Sequence, residues 1–296
     1  MTQQMPLLGS EAIRKGLLTA RELGTKYRAV YRNVYLDNEI ALTPLLRARA
    51  AWLFAGPDAV LSGMSAAAVH GTKWLDVNAL AEVVRANRHA PESLRVHSYT
   101  LAPEDICAYD GMRVTTVVRT AFDLGRLLPY SQAVPILDAL MNKTGLDLEQ
   151  VRSLGEANRG IRGIDRLWTA LAHADGGARS PLETQTRLKL RCTGVPGLET
   201  DIPFHDEWGL VETRAAMGWP RWKVAVECDE ERDLPRYRTW VHSHTAELES
   251  RDWAVVWVTQ SMMSGQTNIV PRVMKKLRAA HSLSNGGAVR GDARGD

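Results

Sequence analysis

The chain has 296 residues, 45% hydrophobic and 24% charged, with a net charge of +3. These are the values of an ordinary globular protein, and at ~100–200 residues per domain they imply two domains or three. They exclude wholesale disorder, collagen and coiled coil. No apolar run approaches the ~18–20 residues of a membrane helix, and Met1–Ser10 lacks the basic start and apolar stretch of a signal peptide. Cys107, Cys192 and Cys228 are odd in number and far apart, which fits a reducing cytoplasm and neither a disulfide framework nor a zinc spacing.

Charge is unevenly placed. Residues 1–36 hold Arg14, Lys15, Arg21, Lys26, Arg28 and Arg32 against Glu11 and Glu22, a net of +4, whereas 37–175 carry −2 and 176–296 carry +1. Nucleic-acid binding draws most of its affinity from such basic patches. A solvated surface produces the same pattern, so charge alone leaves both readings open.

In chain order, Ser10 caps a short helix that Gly16 closes, and Thr19 caps a second one with Glu22 completing a capping box, ending near Gly24. Tyr27–Leu36 is rich in aromatic and β-branched residues with a turn at Arg32-Asn33, so it reads as a hairpin. Helix, helix and basic hairpin within 36 residues is the layout of a winged helix-turn-helix, in which one helix enters the major groove and the hairpin lies along the backbone. The DNA contacts this layout selects are Arg21, Lys26, Arg28 and Arg32, with Thr19, Tyr27 and Tyr31 as donors to phosphate.

Thr43-Pro44 opens the next helix, and Met64–Val69 is a small-residue helix stopped by His70-Gly71. Strands are expected at 81–85, 93–99 and 112–118, then helices at 120–128, 131–142, 147–154 and 163–172. Asp175-Gly176-Gly177-Ala178-Arg179 is the strongest linker, because adjacent glycines break any element. Ser180-Pro181-Leu182-Glu183 then starts a helix with an N-cap Ser, Pro at the first position and Glu at N3. Strands follow at 200–204, 210–216 and 222–228, a helix at 237–251, a strand at 253–259 apolar enough to be buried on both faces, and a helix at 269–280.

Glu183, Glu227 and Asp229 are the carboxylates of interest in this second half. On spacing alone Glu183 is a capping acid and the others are loop charges; the alternative is a divalent-cation site that activates water on a phosphodiester. His242 and His244 lie at i, i+2 on a helix, so they point to different faces and read as surface residues. The six tryptophans of this half read as core by default, with an exposed subset able to stack on a base or a partner as the alternative.

The stretches Gly16–Leu23, Tyr27–Leu36, Ala48–Leu53, Ser65–Gly71 and Val114–Leu124, followed by Ser180–Thr184, Met217–Trp219, Val224–Glu227 and Asp252–Val258, occur in a telling order. Over about residues 9–260 the chain resembles an actinobacterial-type group that joins an AbiEi-type antitoxin, with its winged helix, to a restriction-endonuclease-like domain related to very-short-patch repair nucleases. The resemblance implies an α/β (α+β) fold: a winged helix-turn-helix over 1–72, an α/β scaffold over 73–175, the nuclease-like domain over 176–281 and a disordered tail over 282–296. It also implies a cytoplasmic regulator that binds double-stranded DNA at its own promoter, represses its toxin-antitoxin operon and counteracts a nucleotidyltransferase toxin.

Departures from that group bear on chemistry. Its pattern places a metal-ligating Asp just before Met217-Gly218-Trp219, where this chain has Ala215-Ala216. After Glu227 the pattern is Tyr-Asp-Gly and a His; here Cys228-Asp229-Glu230 follows, with Asp233 at the His position. An alanine cannot coordinate Mg²⁺, so Glu183, Ala216, Glu227 and Asp229 read as a degenerate nuclease site with no catalysis, metal or cofactor. The competing readings are a metal-dependent DNA endonuclease and a toxin-binding module without a DNA role.

Overall fold

The computed structural model describes residues 5–87, 89, 91–229, 235–264 and 268–287. The fold is mixed α/β (α+β), and the chain divides into two compact units, Met1–Ala174 and Asp175–Asp296. Among the described residues no helix is long and apolar enough to cross a membrane.

The first unit begins with β1 (Leu7–Leu8), α1 (Gly9–Arg14), α2 (Ala20–Lys26), β2 (Tyr27–Tyr31) and β3 (Val34–Asp37). The strands form an antiparallel sheet in the order β1-β3-β2. The capping box at α2 forms as expected, and Asn33 takes the left-handed conformation (φ 63°) that the hairpin turn requires. Ser10 does not cap α1. Its hydroxyl accepts from Asn33 Nδ2 at 2.8 Å, and Leu8 stands at the cap position. The side chain thus ties the helix to the hairpin turn rather than closing its own helix.

Next come α3 (Pro44–Ala55), β4 (Val60–Leu61), α4 (Gly63–Val69), β5 (Ala81–Val84), β6 (Leu94–His97), β7 (Ile106–Tyr109) and β8 (Met112–Thr115). The five strands form one sheet in the order β6-β5-β4-β8-β7. Four helices follow: α5 (Val117–Leu127), α6 (Tyr130–Thr144), α7 (Leu148–Ala157) and α8 (Ile164–His173). An expected boundary at 72/73 does not divide this unit. One core joins Tyr31 and Val34 of the hairpin, Ala48, Ala50 and Ala51 of α3, Leu61 of β4, and Val83, Leu94 and Val114 of the five-stranded sheet. Burial of this continuous apolar surface ties the hairpin, α3 and the five-stranded sheet into one core.

The Val114–Leu124 stretch owes its character to a buried charge network. Arg119 Nε donates to Asp123 Oδ2 at 2.9 Å and its Nη1 to Asp105 Oδ2 at 2.8 Å. Arg126 Nε donates to Asp123 Oδ1 at 2.9 Å and the Tyr99 hydroxyl to Asp123 Oδ2 at 2.9 Å. Asp123, shared between the two, and Asp105 together neutralise two guanidinium groups that burial would otherwise make costly.

The second unit comprises α9 (Pro181–Arg191), β9 (Glu199–His205), β10 (Val211–Trp219), β11 (Val224–Cys228), α10 (Pro235–Ser250), β12 (Ala254–Val258), α11 (Gln260–Ser264) and α12 (Ile269–Gly287). Its sheet runs β12-β11-β10-β9, antiparallel except where β12 pairs parallel with β11 after the α10 crossover. Strand alternation sends Val224 and Val226 into a core with Leu182, Leu190, Val273 and Leu277, and Ala225 to the opposite face with Leu248 and Trp253.

Three expectations change here. β12 is an edge strand with Ala254, Val255 and Trp257 only half-buried, so its apolar run marks contact with helices and not a central position. Trp208 and Trp240 stand exposed rather than in the core. The last helix extends to Gly287, into the segment expected to be disordered; 288–296 lie outside the described residues.

Candidate functional site

Two groups of expected site residues lie in separate units. In the first, α2 and the β2–β3 hairpin present the N-terminal cations. Arg21 and Arg32 are exposed, and neither pairs with a carboxylate among the described residues. Lys26 is exposed and its Nζ lies 3.3 Å from Glu22 Oε1. Ala20 and Gly24, also exposed, leave α2 with little side-chain bulk beside Arg21.

The other expected contacts are committed elsewhere. Tyr31 is buried (4% exposed), its ring stacked on Phe54 and its hydroxyl donating to Ser93 O at 3.3 Å. It is a core residue and cannot donate to a phosphate. Strand alternation sets this, because Tyr31 shares the inward face with Val34 of the paired strand. Arg28 Nη1 donates to the carbonyls of Asp37 at 2.8 Å and Asn38 at 3.0 Å, and its Nη2 to that of Ile40. The guanidinium therefore clamps the segment after β3. Thr19 spends its hydroxyl on Glu22, accepting from its amide at 3.1 Å and donating to its carboxylate at 2.9 Å. Tyr27 is half-buried against Leu7, Ala12 and Leu23.

In the second unit the structure does bring together Glu183, Ala216 and Glu227. Glu183 lies in the first turn of α9, buried, and its Oε2 accepts from the Arg179 amide at 2.8 Å. Burial pushes its carboxyl up to about 7, against the pull of that amide and the Arg179 charge; the nearby Glu227 and Asp201 charges push the same way as burial. Glu227 is the penultimate residue of β11, also buried, and its Oε1 accepts from the Ala216 amide at 3.3 Å. Burial raises its carboxyl too, opposed first by His244. Asp229 is half-buried, its amide donating to Val258 O at 3.1 Å. Glu230 and Asp233 lie outside the described residues.

The residue missed in sequence is His244. It is buried on α10, with Nε2 3.4 Å from Glu227 Oε1, Nδ1 3.2 Å from Thr213 Oγ1, and its ring stacked on Trp240 at 5.1 Å. The i, i+4 series Trp240–His244–Leu248 was the available signal, since the buried Leu248 marks that face of the helix as inward. Arg179 and Arg214 flank the cluster, both paired with Asp201, the latter at 2.7 Å.

A divalent cation does not fit this donor set. Glu227 is engaged by His244 and a backbone amide, Glu183 by the Arg179 amide, and position 216 offers a methyl group. Among the described residues no group of three His, Cys, Asp or Glu side chains is placed to hold a metal.

The chain matches no family model. It is similar to two proteins of Mycobacterium tuberculosis, the uncharacterized protein MT2308 of strain CDC 1551 / Oshkosh and the uncharacterized protein Rv2248 of strain ATCC 25618 / H37Rv. Each is 28% identical over 230 residues, covering 77% of this chain and 83% of the relative. Neither unit alone has that many residues, so the likeness extends across both.

Proposed function

We propose that this chain is a DNA-binding transcriptional regulator of the antitoxin type, which represses its own operon and counteracts a nucleotidyltransferase toxin. The observation that carries the DNA-binding part is the β1-α1-α2-β2-β3 order, with Arg21 exposed on α2 and Arg32 exposed at the hairpin turn. That order is the one in which a winged helix offers a groove-reading helix and a backbone-tracking hairpin. The exposed alanine and glycine beside Arg21 favour close approach of α2 to base edges. The toxin partner rests on the sequence resemblance.

The test uses the full chain, because the core continues past the first hundred residues and a short N-terminal fragment would cut it. Binding is measured by fluorescence anisotropy on the DNA upstream of the protein's own reading frame and on a scrambled duplex. Arg21→Ala should narrow the difference between the two duplexes by ~1–3 kcal/mol, the value of one bidentate guanine contact. Arg32→Ala should weaken both alike. Unchanged affinity in the double variant overturns the reading. Co-purification with the product of an adjacent nucleotidyltransferase frame tests the antitoxin part.

The second reading, a metal-dependent DNA endonuclease, is favoured by the convergence of Glu183, Glu227 and His244 in one buried cluster. Ala216 and the prior engagement of both carboxylates count against it. Mg²⁺-dependent cutting by the wild-type chain that Glu227→Ala abolishes would put it first; gain of metal binding only in Ala216→Asp would mark a decayed site.

A further inference from the structure

The second unit carries a basic surface of its own, which the net charge of residues 176–296 conceals. From Ile269 to Gly287, α12 holds Arg272, Lys275, Lys276 and Arg278 and no acid. Its apolar side, Val273 and Leu277, is already buried in the core, so packing does not call for the cations on the other side. Arg272, Lys275 and Lys276 are exposed and share one face at i, i+3 and i, i+4. With Val255, Val256 and Trp257 of the edge strand β12 they line a groove of about 560 Å³.

Among the described residues no carboxylate pairs with any of these three cations; the one polar contact of the set is Arg272 Nη1 to the Met262 sulfur at 3.9 Å. Like charges at these spacings repel one another, and a bound anion would relieve that repulsion. Three cations lie within about 6 Å of helix axis. A nucleic-acid strand presents a phosphate every ~3.4 Å along its axis, so two phosphates of one strand meet this set at once. The lysines serve phosphate as point charges and Arg272 can meet it with a bidentate fork. We infer that the groove between α12 and β12 binds the phosphate backbone of DNA, giving the chain a second nucleic-acid contact besides its N-terminal unit.

The test uses the full chain and a fluorescein-labelled random-sequence 25-base-pair duplex, titrated between 50 and 200 mM salt. Replacing Arg272, Lys275 and Lys276 together by alanine removes the contacts to two phosphates, worth ~0.9 unit of salt slope each. The fourfold rise in salt should therefore cost the wild type about 12-fold more affinity than it costs the triple variant. Lys275→Arg with Lys276→Arg keeps both charges and should bind as the wild type does. The three side chains are exposed, so melting curves of all variants should coincide. The same comparison in an Arg21→Ala, Arg32→Ala background should show the same difference in slope, which separates this surface from the N-terminal one. Equal salt slopes in wild type and triple variant overturn the inference. So does retention of poly-L-glutamate but not duplex DNA by this face, which would assign it to an acidic protein segment.

Discussion

The first turns of α2 and α9 are built alike and end in opposite electrostatic states. Each has a hydroxyl N-cap, Thr19 or Ser180, accepting from the amide of a glutamate three residues on. Glu22 lies toward solvent, accepts from the Thr19 amide at 3.0 Å and pairs with Lys26, and the Thr19 amide leads in holding its carboxyl below the usual range. Glu183 is buried, accepts from the Arg179 amide instead of its own cap, and is pushed up to about 7. A cap hydrogen bond is local chemistry and comes out the same in both places. Ionisation answers to water, which only the packing around each turn admits or excludes. Asp123 marks the third possibility, an acid equally buried but matched by two guanidinium groups.

The largest effect should come from that matched acid. Asp123→Asn leaves Arg119 and Arg126 buried without their shared counter-charge, at a cost of about 3–5 kcal/mol in urea denaturation. A loss under 1 kcal/mol would mean that the network is not holding charge in place, and the contrast with Glu183 would fail.

Glu183 comes next, and its signature is a pH profile. The folded state keeps the proton to about pH 7 while the unfolded chain releases it near 4.5. The associated stability is therefore fully present below pH 4.5 and is lost as pH rises through 7, by about 3 kcal/mol. Glu183→Gln should be flat through that window in melts at pH 4.5, 6 and 8. Parallel profiles for variant and wild type would show that the carboxylate ionises freely in the fold.

Thr19→Ala and Ser180→Ala should each cost about 1 kcal/mol, the usual value of an N-cap. Similar losses at the two ends sharpen the view that capping is local; a much larger loss at Ser180 would tie the cap to the buried cluster. The smallest expected change is in Glu22→Gln. Because its carboxyl is lowered, the stability it brings is present above about pH 4.5 and lost in acid below that, the reverse of Glu183. The variant's stability profile should differ from wild type only at the acid end.

Much of the local architecture was legible in the residues. The capping box at Thr19, the Arg32-Asn33 turn, the Thr43-Pro44 start and the Ser180-Pro181 start all depend on contacts within a few positions, and all appear in the structure. The two-residue strands β1 and β4 were not legible, because two residues carry no periodicity and exist only through their partners. Of the proposed DNA contacts, Arg21 and Arg32 remain available, while Tyr31 and Arg28 were assigned outward from residue type alone. The four uncompensated cations of α12 were readable in sequence and were hidden by averaging charge over the whole second half.

The sequence by itself determined the capped starts at Thr19, Thr43 and Ser180, the Arg32-Asn33 turn, the break near 175, and the concentration of cations in the first 36 residues, because each of these is set by neighbours along the chain. Only the tertiary structure decided that Tyr31 faces the core, that His244 meets Glu227, that β12 lies at a sheet edge, and that Glu183 holds its proton near neutrality. Each of these depends on which distant surfaces exclude water from a side chain, and burial is a property of the packed fold, not of the order of residues around that side chain.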